Sequence, residues 1–289
     1  MIKNNFGDFL FENLTRALAF LVLFLLVAIF FVLFDNAKPA IDAYGFDFIT
    51  ESKWAPNREI FGGWPAIYGT LASTTIAMLI ATPLALGIAI FLTEIAPAKL
   101  KTPVGTSIEL LAAVPSIIYG MWGLFYFAPI IRDVFGGQGI GILTAGFILA
   151  IMILPFISAI SRDSMNTTPD ILKESAYALG ATKWDVIKDV IIPYSKAGVL
   201  GSIILALGRA LGETMAVTFV IGNSHKVSGS ILEAATSIPA TLANEFNEAD
   251  TELYYSSLFY LALVLFIISF SVIAFAKFYL LRKVKRNKQ

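Results

Sequence analysis

Six runs of apolar side chains divide this chain, at roughly 17–34, 66–93, 105–130, 141–160, 195–222 and 256–281. A helix needs about 20 such residues to cross the hydrocarbon layer of a bilayer. The layer offers no water to backbone N–H and C=O groups, so a spanning segment of this length satisfies them as a helix. The fold expected is therefore all-α and integral to a membrane, with six transmembrane helices surrounded by lipid. Composition agrees, since 57% of the 289 residues are hydrophobic and 15% are charged, against about 25% charged in soluble domains. The first run is longer than the roughly 7–15-residue core of a signal peptide, and no clear A-x-A-like site follows it. It is expected to stay as a membrane helix. Pro83, Pro115 and Pro155 fall inside or near the ends of spans, where neighbouring helices can satisfy the freed carbonyls.

Basic residues orient the spans, because cytoplasmic loops carry the excess of Lys and Arg. The tail at 282–289 holds Arg282, Lys283, Lys285, Arg286 and Lys288 without an acid. It is expected inside, and six spans then put the N-terminus inside too, consistent with Lys3 and Arg16. Lys99 and Lys101 mark the next inside loop, and 162–194 is the third. The outer segments at 35–65 and 223–255 are acidic. Residues 1–66 are read as a first membrane helix with an outer amphipathic segment, in which Trp54 and Trp64 suit an interfacial belt. Residues 67–281 are read as the core.

The same composition removes most enzyme chemistry. Cysteine is absent and His225 is the only histidine, so neither a thiol nucleophile nor a His/Cys metal cluster can be built. No catalytic residue, no metal and no cofactor held by this chain are expected. The formal net charge of zero carries no signal for nucleic acid. The glycine-rich GGQGIG at 136–141 lacks the Lys-Ser/Thr of a phosphate loop. His225 is expected to be solvent-exposed, and Glu94 and Glu109 to lie at the inner interface.

Between the fourth and fifth spans lies a polar stretch, ESAYALGATKWDVIKDVIIP, from Glu174 to Pro193. The Thr168 hydroxyl is expected to cap a helix with Pro169 at its first position. Gly180 can take the left-handed conformation that ends it. Thr182 and Asp185 have the spacing of a capping box that starts a second helix. Pro193 either stops that helix or lies at a kink into the next span. A compact helix-glycine-helix element at the cytoplasmic face results, suited to being read by another protein.

The fifth span contains GRALGETMAV, with Arg209 near its middle. A charge at the bilayer centre costs about 2.5–3.5 kcal/mol on insertion scales and calls for a partner or a watery cavity. Glu213, four residues on, is expected to share its helix face. Ser202, Ala206 and Ala216 fall near the same stripe, leaving room for water or substrate. Gly208 and Gly212 form a G-x-x-x-G pair suited to close helix packing. Two readings stay open here. One is a structural intrahelical ion pair. The other is an anion pathway in which the arginine fork meets oxyanion oxygens and Glu213 accepts the O–H of a protonated phosphate, a proton that sulfate lacks.

The Glu174-Ser175-Ala176, Gly180 and Val190-x-Ile192-Pro193 spacing resembles the cytoplasmic loop of ABC-importer permeases. The stretches IELLAAVPSIIYGMWGLF, ILAIMILPF, LGRALGETMAVTFVIGN and TLANEF, with WAPN and GGWPAIYGTLASTTIAMLIATPLALGIAIFLTEIAP, resemble the PstC-type permease of phosphate ABC importers over nearly all of the chain after about residue 50. Ser175 stands where the family's loop has alanine, and the connection around 131–140 is short for the family. The resemblance implies the six-helix, type I (MetI-like) ABC-importer fold. It implies a substrate pathway through Arg209 and Glu213 for inorganic phosphate. It also implies an ATPase-coupling loop at Glu174, Ser175, Ala176, Gly180 and Pro193. The partners implied are a PstA-type permease, a dimer of PstB-type ATPase subunits carrying ATP and Mg, and a PstS-type phosphate-binding protein outside. Competing readings are a permease for molybdate, sulfate or phosphonate, a passive anion channel, and a membrane enzyme built on the Arg/Glu pair.

Overall fold

The computed structural model describes residues 6–286. Residues 1–5 and 287–289 lie outside that range, as do the side chains of residue 6 and of residues 279–289, so Lys3 and the side chains of the basic tail fall outside the described residues. Helix α1 (Phe6–Tyr44) opens the chain and runs well past the expected 17–34 span, through Pro39. Its side chains from Phe9 to Phe31 are mostly exposed, as lipid contact requires. Just past Pro39, the Ala40 N–H donates to Ser256 Oγ at 2.9 Å, which ties α1 to the last helix. The expected outer amphipathic segment is replaced by the end of α1, a one-turn α2 (Asp47–Thr50), and an antiparallel hairpin of β1 (Trp54–Ala55) and β2 (Ile60–Phe61) paired Trp54 to Phe61. Some of its aromatics find protein: Phe48 and Phe61 are buried, and Phe48 stacks on Tyr260 at 4.3 Å, whereas Phe46 and Trp64 are exposed.

Helix α3 (Trp64–Ile90) continues into a π turn at Phe91–Ile95. Helix α4 (Ala98–Ala112) then meets α5 (Ser116–Trp122), which passes through a π turn, Gly123–Phe127, into α6 (Ala128–Phe135). The expected third span is not straight. Its two arms, Ala98–Ala112 and Ser116–Phe135, are bent by 91°. Pro115 sits at the break and disfavours helical geometry at Val114. Helix α7 (Ile142–Asn166) is central, and α8 (Asp170–Ala178) follows it. A single turn, α9 (Lys183–Asp185), leads through a π turn at Val186–Ile191 into α10 (Ile192–Leu211). Helices α11 (Met215–Ile221), α12 (Ile238–Glu245) and α13 (Glu252–Arg286) complete the fold. The fifth apolar run is therefore broken as well, between Leu211 and Met215. Among the described residues five helices are long and apolar enough to cross a membrane, or six with the bent pair taken as one.

The main core gathers Ala77, Ala81 and Ala85 of α3, Ala145, Ile148, Leu149, Ile153 and Ile157 of α7, Ala206 and Ala210 of α10, and Val217, Val220 and Ile221 of α11. Alanines on α3 and α10 let backbones approach, which is how helices associate where lipid supplies little hydrophobic drive between them. Gly146 shows how tight this is. A Cβ there would stand 2.5 Å from Ile76 Cγ2.

Outside this core, His225 is not a plain exposed residue. Its Nε2 lies 2.6 Å from Glu245 Oε1, and its ring stacks on Trp54 at 5.1 Å. Glu245 also accepts from Trp54 Nε1 and from the Tyr254 hydroxyl, each at 2.7 Å. Burial would raise this carboxyl, but the bonds from His225, Tyr254 and Trp54 together outweigh it and hold Glu245 below the usual carboxylate range. The cluster fastens the hairpin, the loop after α11, α12 and α13 together. It could not be read locally because Trp54 and Glu245 are 191 residues apart.

Replacing Gly146 with leucine is expected to force α3 and α7 apart. The cost should be roughly 1–3 kcal/mol or more, read as a lower melting temperature of the purified protein in detergent. A melting temperature unchanged by Gly146→Leu would contradict the packing described.

Candidate functional site

Arg209 occupies the last turn of α10, where the negative end of the helix dipole favours a cation. Its guanidinium lies 4.2 Å from the centroid of the Phe156 ring on α7, within cation–π range. The residue is exposed on the surface of this subunit. Two residues later α10 ends, with Gly212 as its C-cap. Glu213 therefore does not share a helix with Arg209. It lies in the break, and its Oε1 accepts the Ala216 N–H at 3.3 Å, facing the start of α11. Among the described residues no ion pair joins Arg209 to Glu213. The expected shared face fails because 3.6-residue periodicity has no meaning across a helix end. The structural ion-pair reading falls with it. The arginine and the carboxylate are left as a separate donor fork and acceptor at one interruption of the membrane core.

The small residues beside them do something other than make room. Ser202 is fully buried, with its Oγ 2.9 Å from Ser161 Oγ of α7. Ala206 and Ala216 are also buried. Ala216 packs on α5 at Gly120, where a Cβ would meet its Cα at 3.0 Å. These positions hold α10 and α11 close to their neighbours. The two glycines differ as well. Gly208 faces α13, since a Cβ there would come within 3.0 Å of Ile273 Cδ1, whereas Gly212 has only the Gly208 carbonyl near it, at 3.8 Å.

In the polar element from Glu174 to Pro193 most of the local chemistry is as the sequence predicts. Gly180 closes α8 with φ of +87°, and the Ala181 N–H returns to the Ala176 carbonyl at 3.1 Å. Thr182 and Asp185 form the capping box in both directions. Thr168 departs from expectation. Helix α8 starts at Asp170 behind Pro169, with no side-chain cap, and the Thr168 hydroxyl is buried without a partner. Pro193 does not stop a helix. It lies in the first turn of α10, just after the π turn, so the chain is helical from Lys183 to Leu211. Glu174 and Ser175 are exposed and Ala176 is half-buried against Val186, Ile187 and Ile191. The rest of the element shows apolar side chains to solvent: Leu179 is 90% exposed, Trp184 61% and Ile171 66%.

Two ion pairs at the ends of the apolar helices were not anticipated. Arg162 of α7 donates to Glu109 of α4 at 2.7 Å, and Lys173 of α8 donates to Glu94 at the end of α3 at 3.0 Å. The signal was present as acids at span ends with opposite charges in the next inside loop, but sequence separation hid the pairing.

Residues 81–286 match the family of binding-protein-dependent transport system inner membrane components. The chain is 50% identical, over 95% of its length and 90% of the other protein, to the phosphate transport system permease protein PstC of Mesorhizobium japonicum. It is 37% identical, over 94% of its length and 93% of the other, to the probable phosphate transport system permease protein PstC of Methanocaldococcus jannaschii. In fold it is similar to a chain of the bacterial alginate ABC transporter solved in complex with alginate pentasaccharide-bound periplasmic protein, with TM-score 0.66 at 15% identity, covering 98% of this chain and 99% of that one. It is also similar to a chain of the inward-facing MetNI methionine ABC transporter, with TM-score 0.61 at 21% identity, covering 76% and 94%. The core has the MetI-like fold of those importers, and the chain belongs to the PstC family of permeases among the binding-protein-dependent transport system inner membrane components.

Proposed function

We propose that this chain is the membrane subunit through which inorganic phosphate enters the cytoplasm, driven by ATP hydrolysed on a separate subunit. Near full-length likeness to PstC permeases supports the substrate, and one observation supports the site: Arg209 just before a helix break and Glu213 within it do not neutralise each other. A guanidinium fork fits two phosphate oxygens at once. Glu213 accepts the O–H that protonated phosphate carries and sulfate does not. Arg209 resting on Phe156 has an apolar platform that keeps it from hydrating fully. Phosphate then exchanges with that platform as the pathway opens.

The partners follow from the same reading. A PstA-type permease completes the pathway by covering the exposed faces of α5 and α10. Two PstB-type subunits bind ATP and Mg and receive α8, with the exposed Leu179 and Trp184 entering their surface. A PstS-type protein delivers phosphate from outside. Both termini lie in the cytoplasm, as the Lys and Arg distribution requires. Closure of the ATPase dimer moves α8, and the helices α5, α7 and α10 rock between inward- and outward-open states around the Arg209 level.

Arg209→Gln is expected to lower phosphate uptake about tenfold or more, the equivalent of one charged hydrogen-bond pair, with normal membrane assembly. Glu213→Leu is expected to let sulfate compete with labelled phosphate where it did not before. Undiminished uptake by a fully assembled Arg209→Gln protein would sink the pathway assignment. Effective competition by sulfate or molybdate in the native importer would favour the broader oxyanion reading. At the dock, Gly180→Val places a β-branched side chain at a φ of +87°, which such residues avoid. The variant is expected to insert in the membrane yet lose its ATPase subunit on purification.

A further inference from the structure

We propose that the ion pair between Lys173 and Glu94 is the strut that carries movement of α8 into the transmembrane core; this rests on the reading of α8 as the ATPase dock. Lys173 immediately precedes Glu174 but points the other way. Its Nζ lies 3.0 Å from Glu94 Oε1, and the two side chains are 17% and 12% exposed. The other carboxylate within reach, Asp170 at 3.8 Å, is 87% exposed and competes weakly. Among the described residues this is the side-chain hydrogen bond that leaves α8 for another element; Ser175, by contrast, bonds back to Ile171 within the helix. The apolar attachment of α8, through Ala176, goes to the segment just ahead of α10.

Glu94 sits in the π turn, Phe91–Ile95, that ends α3. Such turns recur at functional positions in helices. The same turn is held from a second side, because the Lys101 Nζ of α4 donates to the Thr93 carbonyl. A push on Lys173 therefore reaches α3 directly. It reaches α4 through the shared turn, and α4 leads across the 91° bend into the arm of α5. A pair withdrawn from water suits this task. Separating its members would strand a poorly solvated charge, so the pair moves as a unit, whereas apolar surfaces attract without direction and can slide. Exposed pairs such as Arg16–Glu12, at 65% and 58% exposure, lack that stiffness.

The test uses the intact importer in proteoliposomes, with phosphate uptake, ATP hydrolysis and retention of the ATPase subunit measured on one preparation. Lys173→Met and Glu94→Gln are expected to keep the ATPase subunit bound and hydrolysing, while phosphate moved per ATP falls about tenfold, within the usual range of coupling between sites. Lys173→Arg is expected to stay close to the native ratio. The exchanged pair Lys173→Glu with Glu94→Lys is expected to recover most of it. Single variants with an unchanged ratio overturn the proposal, and so does an assembled exchange variant that recovers nothing. Loss of the ATPase subunit from Lys173→Met overturns it too, because the pair would then hold the dock and transmit nothing from it. Failure of the dock reading has a different signature: Gly180→Val would retain its ATPase subunit.

Discussion

A helix that stops within an apolar span leaves amides and carbonyls that lipid cannot satisfy, and this chain stops twice, at Ala113–Pro115 and at Gly212–Thr214. Both interruptions are enclosed by protein on at least one side. Gly120 of α5 packs on Ala216 of α11, so the segments that follow the two breaks support each other. Helix α7, the most enclosed of the candidate spans, backs them both. That arrangement lets an arginine and a carboxylate stand unpaired at the second break. An unbroken α10 would have put them on one face, four residues apart, where they would neutralise each other.

The six apolar runs were legible because hydropathy reports burial in lipid directly. The breaks were half legible. Pro115 is a local signal, and it sits at the first one. Nothing local distinguishes the second, because Gly212 also fits a continuous helix with small residues at its contacts. The polar element from Glu174 to Pro193 was the most readable part. Gly180, Thr182 and Asp185 act within a few residues of one another, so spacing alone determines their bonds. Thr168 failed as a cap because Pro169 takes the N-cap position of α8, and the Thr168 hydroxyl is buried without a partner.

Long-range polar contacts were not readable at all. His225 looked like an isolated loop residue, yet Trp54, Glu245 and Tyr254 converge with it from three other elements. Lys173 and Glu94 are separated by 79 residues. Glu94 was conspicuous as a charge at the end of an apolar run, whereas Glu245 sat inside the acidic segment at 223–255. Only the fold brings its partner to each. These contacts also divide the labour of the molecule, one cluster fastening the hairpin to α12 and α13 and one pair joining α8 to the end of α3.

Transport through this chain is expected to be coupled: phosphate should cross only when ATP is hydrolysed by a subunit seated on α8. The most direct measurement is labelled phosphate accumulation in proteoliposomes holding the complete importer and its binding protein, compared with vesicles lacking the ATPase subunit. Accumulation against a gradient with ATP inside the complete system, and no flux in either direction without the ATPase subunit, is the predicted result. Phosphate flux down its gradient through vesicles that lack the ATPase subunit would contradict it and make the chain a passive pore.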